Sequence, residues 1–147
     1  MAPPNNEMKR PRTSMRLTAW VREWGDVLRT ISVTVRASGL YGRSMKLRRA
    51  GRNAEALSVA RRGLSVLAGP NVRRQSPPAS ACLLSLTIQV EQLAHELGEP
   101  GASWRDVVDS CQLLKELPET ANSDLGETRR NWLPYFEARL GGSETLH

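Results

Sequence analysis

Few residues of this sequence have the types and spacing that catalysis needs. Of its two histidines, His147 is terminal and His95 lies four residues after Glu91 on a predicted helix, where two such side chains can pair. A general base would also need a nucleophile, a second acid or a group of metal ligands within helical reach, and none lies there. The sequence has no glycine-rich phosphate loop and no Gly-x-Ser-x-Gly motif. We therefore predict that the protein is not an enzyme and has no metal or cofactor.

The other reactive side chains have structural explanations. Asp106 and Asp109 are three residues apart at the start of a predicted helix, where negative charge interacts favourably with the helix dipole. Cys82 and Cys111 are 29 residues apart, without cysteine or histidine neighbours at metal-ligand spacing, and both fall on apolar helix faces. We predict two buried free thiols rather than a disulfide or a zinc site.

Basic residues, by contrast, are concentrated between residues 43 and 74. They could form a docking surface for an acidic partner or a phosphate backbone, or they could be solvated helix ends, where positive charge is locally favourable. Tyr41 is the one aromatic residue nearby, whereas proteins that bind single-stranded nucleic acid use several stacking rings. We therefore favour an acidic protein partner, with nucleic acid as the alternative. The candidate partner-binding residues are Tyr41, Arg43, Lys46, Arg48, Arg49, Arg52, Arg61, Arg62, Arg73 and Arg74.

Charge divides the chain into two unlike halves. Residues 1–75 contain sixteen lysines and arginines and four acidic residues, a net charge of +12, whereas residues 76–147 contain five and eleven, a net charge of −6. The basic half could attract nucleic acid, an anionic membrane surface or an acidic protein, and the acidic half would repel the first two. The two halves could also neutralise each other within the fold, or support head-to-tail self-association.

Apolar residues recur at three- and four-residue steps through most of the chain, which is typical of helices. Gly39 and Gly42 interrupt the second helical segment, and Pro134 is expected to divide or kink the last. Residues 79–97 have the widest apolar stripe, which indicates a central helix. The predicted helices cover residues 15–36, 38–49, 53–68, 79–97, 104–117 and 124–140.

Aromatic residues lie in the first and last of these helices. Trp20 and Trp24 are one turn apart in the first, and Trp132, Tyr135 and Phe136 are close together in the last. We interpret both groups as large side chains that cap the helical stack. The alternative is that one group is an exposed anchor for a partner, since Trp and Tyr dominate interface hot spots.

Residues 51–70 have the pattern of the turn and second helix of a helical hairpin. Gly51 ends the preceding helix, Asn53 can cap the next, and Gly69 with Pro70 stops it. The small or apolar residues predicted to face inward are Ala56, Leu57, Ala60, Leu64 and Leu67.

This hairpin resembles a tetratricopeptide repeat over about residues 37–70. Gly51 lies at the turn, Glu55-Ala56-Leu57 is similar to the start of that family's second helix, and Ala56 and Gly63 match its small-residue positions. The resemblance implies stacked helical hairpins that bind proteins or peptide segments without catalysing a reaction. An offset of fifty residues relates Leu47, Gly51, Leu57, Leu64 and Leu67 to Leu97, Gly101, Val107, Leu114 and Leu117, which predicts a second hairpin of the same plan.

Together these patterns predict an all-α protein of five to six antiparallel helices, stacked as repeat-like helical hairpins. We expect a disordered basic arm over residues 1–14, a single helical domain over residues 15–140 and a loose tail over residues 141–147. No stretch approaches the ~18 consecutive apolar residues of a membrane span, and residues 1–12 lack the apolar region of a secretory signal. We expect a cytoplasmic protein-interaction module that binds its partner through the groove between the hairpins and the basic surface of residues 43–74. It would be an adaptor, a regulatory subunit or a dedicated inhibitor such as an immunity protein.

Overall fold

The computed structural model describes the backbone of residues 3–117 and 124–145 and the side chains of residues 16–117 and 124–141. Within these ranges the chain forms five α-helices and no strand, so the predicted all-α fold is confirmed. The helices are α1 (Pro3–Arg49), α2 (Asn53–Leu67), α3 (Pro77–Leu97), α4 (Trp104–Glu116) and α5 (Asp124–Thr145). The predicted basic arm falls mostly within the first turns of α1, where the side chains lie outside the described residues, and its disorder stays a prediction. The same holds for the predicted tail beyond Gly141.

The first helix is longer than the sequence pattern indicates. The predicted interruption between residues 36 and 38 is wrong, because α1 continues through Gly39 and Gly42 to Arg49. Each glycine in a helix costs only about 1 kcal/mol relative to alanine, which tertiary packing easily exceeds. Neither glycine has a positive φ angle, and a Cβ atom at either position would meet no other atom within 4 Å.

A tight turn joins α1 to α2 and makes the two helices antiparallel. Gly51 adopts the left-handed conformation, with φ of 77°, and the backbone N–H of Arg52 donates to the Leu47 carbonyl at 2.9 Å. Gly51 therefore ends the helix as predicted. Asn53 does not cap α2, since it is the first helical residue and its side chain donates to Glu96 Oε2 at 3.4 Å.

The core lies mainly between α2, α3 and α4. All five predicted inward residues of α2 are buried, and α3 contacts α1, α2 and α4, which confirms its central position. Gly63 of α2 lets the two helices approach closely, because a Cβ atom there would lie 2.9 Å from the Leu86 side chain. Ser103 caps α4 by accepting from the Asp106 N–H at 3.3 Å. The largest fully buried apolar residues are Leu57, Leu67, Leu83, Leu86, Val90, Leu93, Val107, Leu114 and Phe136.

Among the described side chains of α1, the buried ones are small or polar, and Val33, Tyr41 and Leu47 pack half-buried against the core beside them. The buried residues are Thr30, Thr34, Ala37 and Ser44. Ser44 Oγ donates to the Ala56 carbonyl of α2 at 2.7 Å, which requires the two backbones to be close. The exposed large apolar side chains of α1 lie away from the face that packs on the core; they are Leu17, Trp20, Val21, Trp24, Leu28, Ile31 and Val35.

The last helix packs by its aromatic residues and continues past Pro134 to Thr145. Phe136 is fully buried, and Trp132 is half-buried with its ring centroid 5.8 Å from that of Phe136. The capping interpretation is thus confirmed for Trp132 and Phe136, whereas Tyr135 is 40% exposed.

Two leucine substitutions test this arrangement by their effect on the free energy of unfolding. Leu86→Ala should lose about 2–5 kcal/mol, because it leaves a cavity in the core. Leu28→Ala, on the outer face of α1, should stay within about 0.5 kcal/mol of the unchanged protein, because Leu28 is 60% exposed. Urea unfolding followed by circular dichroism measures both; similar losses would contradict the outward orientation of Leu28.

Candidate protein-binding surface

The outer face of α1 carries a line of large apolar side chains that no other described element covers. We call these six residues the apolar seam: Leu17, Val21, Trp24, Leu28, Ile31 and Val35. They follow one another at alternating steps of four and three residues, and each is between 49% and 69% exposed. Monomeric proteins rarely expose a contiguous apolar patch of this kind unless something binds there.

The first part of the seam lies on a stretch of α1 that is exposed on every side. All ten residues 16–25 are exposed, and Thr30 is the first buried residue of α1 among those whose side chains are described. Trp20 and Trp24 contact each other edge to face, with ring centroids 5.8 Å apart. The capping interpretation is therefore wrong for these two tryptophans, because no helix lies against them within the described residues.

Arginines run beside the seam at intervals of seven residues. Arg22, Arg29, Arg36 and Arg43 form this arginine row; all four are exposed, and none has an ion-pair partner among the described side chains. Small residues separate the row from the seam, since Gly25, Ser32 and Gly39 occupy the intervening positions. A Cβ atom at Gly25 or Gly39 would meet nothing within 4 Å, so the surface between seam and row is open.

Five of the candidate basic residues form ion pairs within the protein. The pairs are Arg48 with Glu96 at 3.1 Å, Arg52 with Glu55 at 2.5 Å, Arg61 with Glu99 at 3.2 Å, Arg73 with Asp26 at 3.9 Å, and Arg74 with Asp106 at 2.5 Å and Asp109 at 3.2 Å. In three of these five the carboxylate comes from the acidic second half of the chain. Mutual neutralisation therefore accounts for a substantial part of the basic cluster.

Arg74 is the clearest departure from the predicted docking surface. Its side chain is only 4% exposed and lies between the two carboxylates at the start of α4. A buried guanidinium paired in this way holds the loop before α3 against α4 and cannot contact a partner. The sequence predicts that Asp106 and Asp109 lie at the start of a helix, near the positive end of its dipole. Nothing in their spacing indicates that Arg74, which is 32 residues before Asp106, pairs with them.

The other candidate residues are divided between two places. Arg43, Lys46 and Arg49 lie on the exposed side of α1, where they continue the outer face beyond the seam, and Arg62 is exposed on α2. Tyr41 is half-buried and packs against the core. Four of the ten candidates thus remain exposed without a salt bridge to any described side chain, and three of the four are on α1.

A second ionic cluster, which sequence reasoning missed, surrounds Glu91. This carboxylate is buried, accepts from the Ala102 N–H at 2.8 Å and the Tyr135 hydroxyl at 2.7 Å, and pairs with Arg139 at 2.6 Å. It does not pair with His95, which is exposed. The cluster joins α3, the α3–α4 loop and α5, and loss of water contact together with the Glu91 carboxylate raises the pKa of Tyr135 to about 12.

Gly101 has a different role from Gly51, its counterpart at the offset of fifty. A Cβ atom at Gly101 would lie 2.5 Å from Glu91 Oε1, so this glycine makes room for the buried carboxylate. Its φ angle is not positive; the left-handed glycine after α3 is Gly98, with φ of 68°.

The remaining chemistry of the described residues is limited. Cys82 and Cys111 are buried free thiols, as predicted, and burial raises the pKa of both. No group of three or more metal-ligating side chains occurs among the described residues. None of their helices is both long and apolar enough to cross a membrane.

Comparisons of the chain with protein-family models, with curated proteins and with solved structures found no match. The geometry and charge of the α1 surface are therefore the basis for assigning it a role.

Arg74 and Arg62 offer a matched test of the buried and exposed arginines. Arg74→Ala should destabilise the fold by about 3–5 kcal/mol, since it leaves two carboxylates beside each other without their cation. Arg62→Ala should change the free energy of unfolding by less than about 0.5 kcal/mol, because Arg62 is exposed. Equal effects in urea unfolding would contradict the structural role of Arg74.

The Glu91 cluster predicts an unusual titration of one of the two tyrosines. In a Tyr41→Phe variant, phenolate absorbance at high pH reports Tyr135 alone, and its midpoint should lie near pH 12. Since this pKa is raised above the usual 10, the hydroxyl stabilises the fold below pH 10, and that contribution is lost between pH 10 and 12. Adding Glu91→Gln should lower the midpoint towards 10. An unchanged midpoint, with far-UV circular dichroism showing a folded chain, would contradict the contact.

Proposed function

We propose that this protein is a non-catalytic protein-interaction module that binds an acidic partner protein through the apolar seam and arginine row of α1. The observation that carries this proposal is the exposure of all six seam residues on one helix face. Tryptophan and arginine, both present on this surface, are enriched at interface hot spots, and an apolar centre bordered by polar residues is typical of interfaces.

The exposure of the seam is costly unless a partner covers it. Removing a Leu, Ile or Val side chain from water contributes about 1.5–3 kcal/mol at full burial, and the seam residues are at most half-buried. A helix of about 12–15 residues is only marginally stable in water without tertiary contacts. A partner packed along residues 16–35 would supply the contacts that this part of α1 lacks.

The other residues of the fold support binding rather than catalysis. The buried charged groups, Arg74 with its two aspartates and Glu91 with Arg139 and Tyr135, hold helices together. We propose the role of an adaptor, a regulatory subunit or a dedicated inhibitor, with the α1–α2 hairpin as a tetratricopeptide-like unit. Two free thiols favour a reducing compartment, and we propose the cytoplasm.

A capture experiment with matched variants tests this proposal. The tagged protein, the Leu28→Glu variant and the Ala19→Glu variant are incubated with lysate of the source cells, with and without nuclease. Both substitutions place a glutamate at an exposed position of α1, but Ala19 lies on the face opposite the seam. We expect a stoichiometric protein that survives nuclease and moderate salt and is lost only with Leu28→Glu, because a charge in the seam prevents apolar burial.

Two results would overturn the proposal. If the same proteins bound to all three forms, the seam would not be the binding surface. If only nucleic acid were captured, or proteins that nuclease removes, the basic residues would be a phosphate-binding face, since phosphate contacts weaken steeply with salt.

A further inference from the structure

We propose that the partner segment is an amphipathic α-helix that pairs with α1 as a two-stranded coiled coil and places acidic side chains against the arginine row. This inference rests on the proposed function and adds the secondary structure and the charge pattern of what binds.

The spacing of the seam indicates a helix as its occupant. Steps of four and three residues give an average repeat of 3.5, the period at which two α-helices remain in contact along a supercoil. The six residues occupy the two positions in every seven that face the partner in a coiled coil, and Trp20, which is 55% exposed, lies beside them near the start of the seam. Val21, Leu28 and Val35 occupy the same position in successive seven-residue repeats. Two of the three are β-branched, which is common at one seam position of two-stranded coiled coils.

The arginine row has the same seven-residue period as the seam. Arg22, Arg29 and Arg36 directly follow Val21, Leu28 and Val35, so the row stays beside the seam over its whole length. A helix lying on the seam would present one flank to these guanidinium groups at every second turn. Because none of the three has an ion-pair partner among the described side chains, a row of carboxylates on that flank would be complementary.

Small residues give a partner access to the arginines. Gly25 and Ser32 stand between the seam and the row, so a second helix can lie close to α1 on this side. Arg22, Gly25 and Arg29 also line an open notch of about 450 Å³ together with Asp26 and Asn71. Asp26 is the one carboxylate there, and it lies 3.9 Å from Arg73, on the side of α1 that faces the bundle.

A second copy of this chain fits the surface less well than an acidic helix does. In an antiparallel pair the two arginine rows would lie on the same side and repel each other. In a parallel pair the flank that meets the seam's small residues carries Trp20, Val27 and Thr34, none of which is acidic. Neither orientation supplies carboxylates for the row.

An anionic membrane surface is also less suitable. Helices that lie in a membrane interface have a broad apolar face with basic residues on the polar side. Here the flank opposite the arginine row leads to the packed face of α1, where Thr30 and Thr34 are buried, so this part of the helix cannot lie with both flanks in a membrane interface.

Designed peptides test the inference with the full-length protein. The acidic probe is a helix of about three heptads with leucine and isoleucine in an a/d seam and glutamate on both flanks, and its twin has lysine in place of every glutamate. Calorimetry measures binding of each peptide to the unchanged protein, to the Arg29→Glu/Arg36→Glu variant and to the matched control Arg62→Glu. Thermal unfolding verifies that every variant is folded.

We expect the acidic probe to bind the unchanged protein and the Arg62→Glu control equally, and the lysine twin to bind at least about tenfold more weakly. Replacing Arg29 and Arg36 with glutamate should invert this preference, because the row then attracts the lysines of the twin peptide. Leu28→Glu should abolish binding of both peptides, whereas Ala19→Glu should not.

Four results would overturn the inference. The first two are failure of the acidic probe to bind and equal binding of the two peptides. The third is a dimer in sedimentation equilibrium that Leu28→Glu converts to a monomer, which would make a second copy the occupant. The fourth is binding to phosphatidylserine vesicles that Leu28→Glu abolishes, while neither peptide binds. In the capture experiment, a protein that depends on Leu28 but not on Arg29 and Arg36 would overturn the acidic helix and the role of the arginine row, and would leave only protein binding through the apolar seam.

Discussion

The position of α1 depends on small, polar contacts with its neighbours. The Ser44 hydroxyl donates to the Ala56 carbonyl at 2.7 Å and accepts from Gln89 at 3.3 Å, so one buried group joins α1 to both α2 and α3. The Thr30 hydroxyl accepts from the Arg73 N–H at 3.0 Å and ties the same face to the loop after α2. A buried polar group without a partner costs about 1–3 kcal/mol, so these contacts fix the rotation of α1 about its axis. That rotation turns the apolar seam away from the core.

The charged residues are likewise divided between those that hold the fold together and those on the exposed side of α1. The acidic second half of the chain supplies partners for Arg48, Arg61 and Arg74, which therefore hold helices and loops together. The exposed side of α1 receives no such partner among the described residues, and its arginines remain available. The large net charge of the first half is thus concentrated on the helix that also exposes the apolar residues, which makes the two features parts of one surface.

Much of the fold could be predicted from the sequence, because helix ends and apolar periodicity are local signals. Gly51 and the inward residues of α2 behave as their patterns indicate. The orientation of α1 could not be predicted in the same way, since a periodic apolar stripe defines a face but does not say what that face contacts. Two signals in the sequence do point to it: the 3.5-residue repeat of the seam and the arginines at seven-residue spacing. The clusters around Arg74 and Glu91 join residues distant in sequence, and no local pattern indicates them.

The exposed stretch of α1 therefore gains little stability from packing. Residues 16–25 contribute backbone hydrogen bonds but almost no burial, and burial rather than helix propensity supplies most helical stability in proteins. The apolar side chains that could have been buried, Trp20 and Trp24 among them, are exposed to solvent. A helix bound along the seam would bury these side chains and stabilise the helical conformation at the same time. Because the arginine row has the same period as the seam, the contacts that provide affinity and the contacts that select an acidic partner would form in a single register.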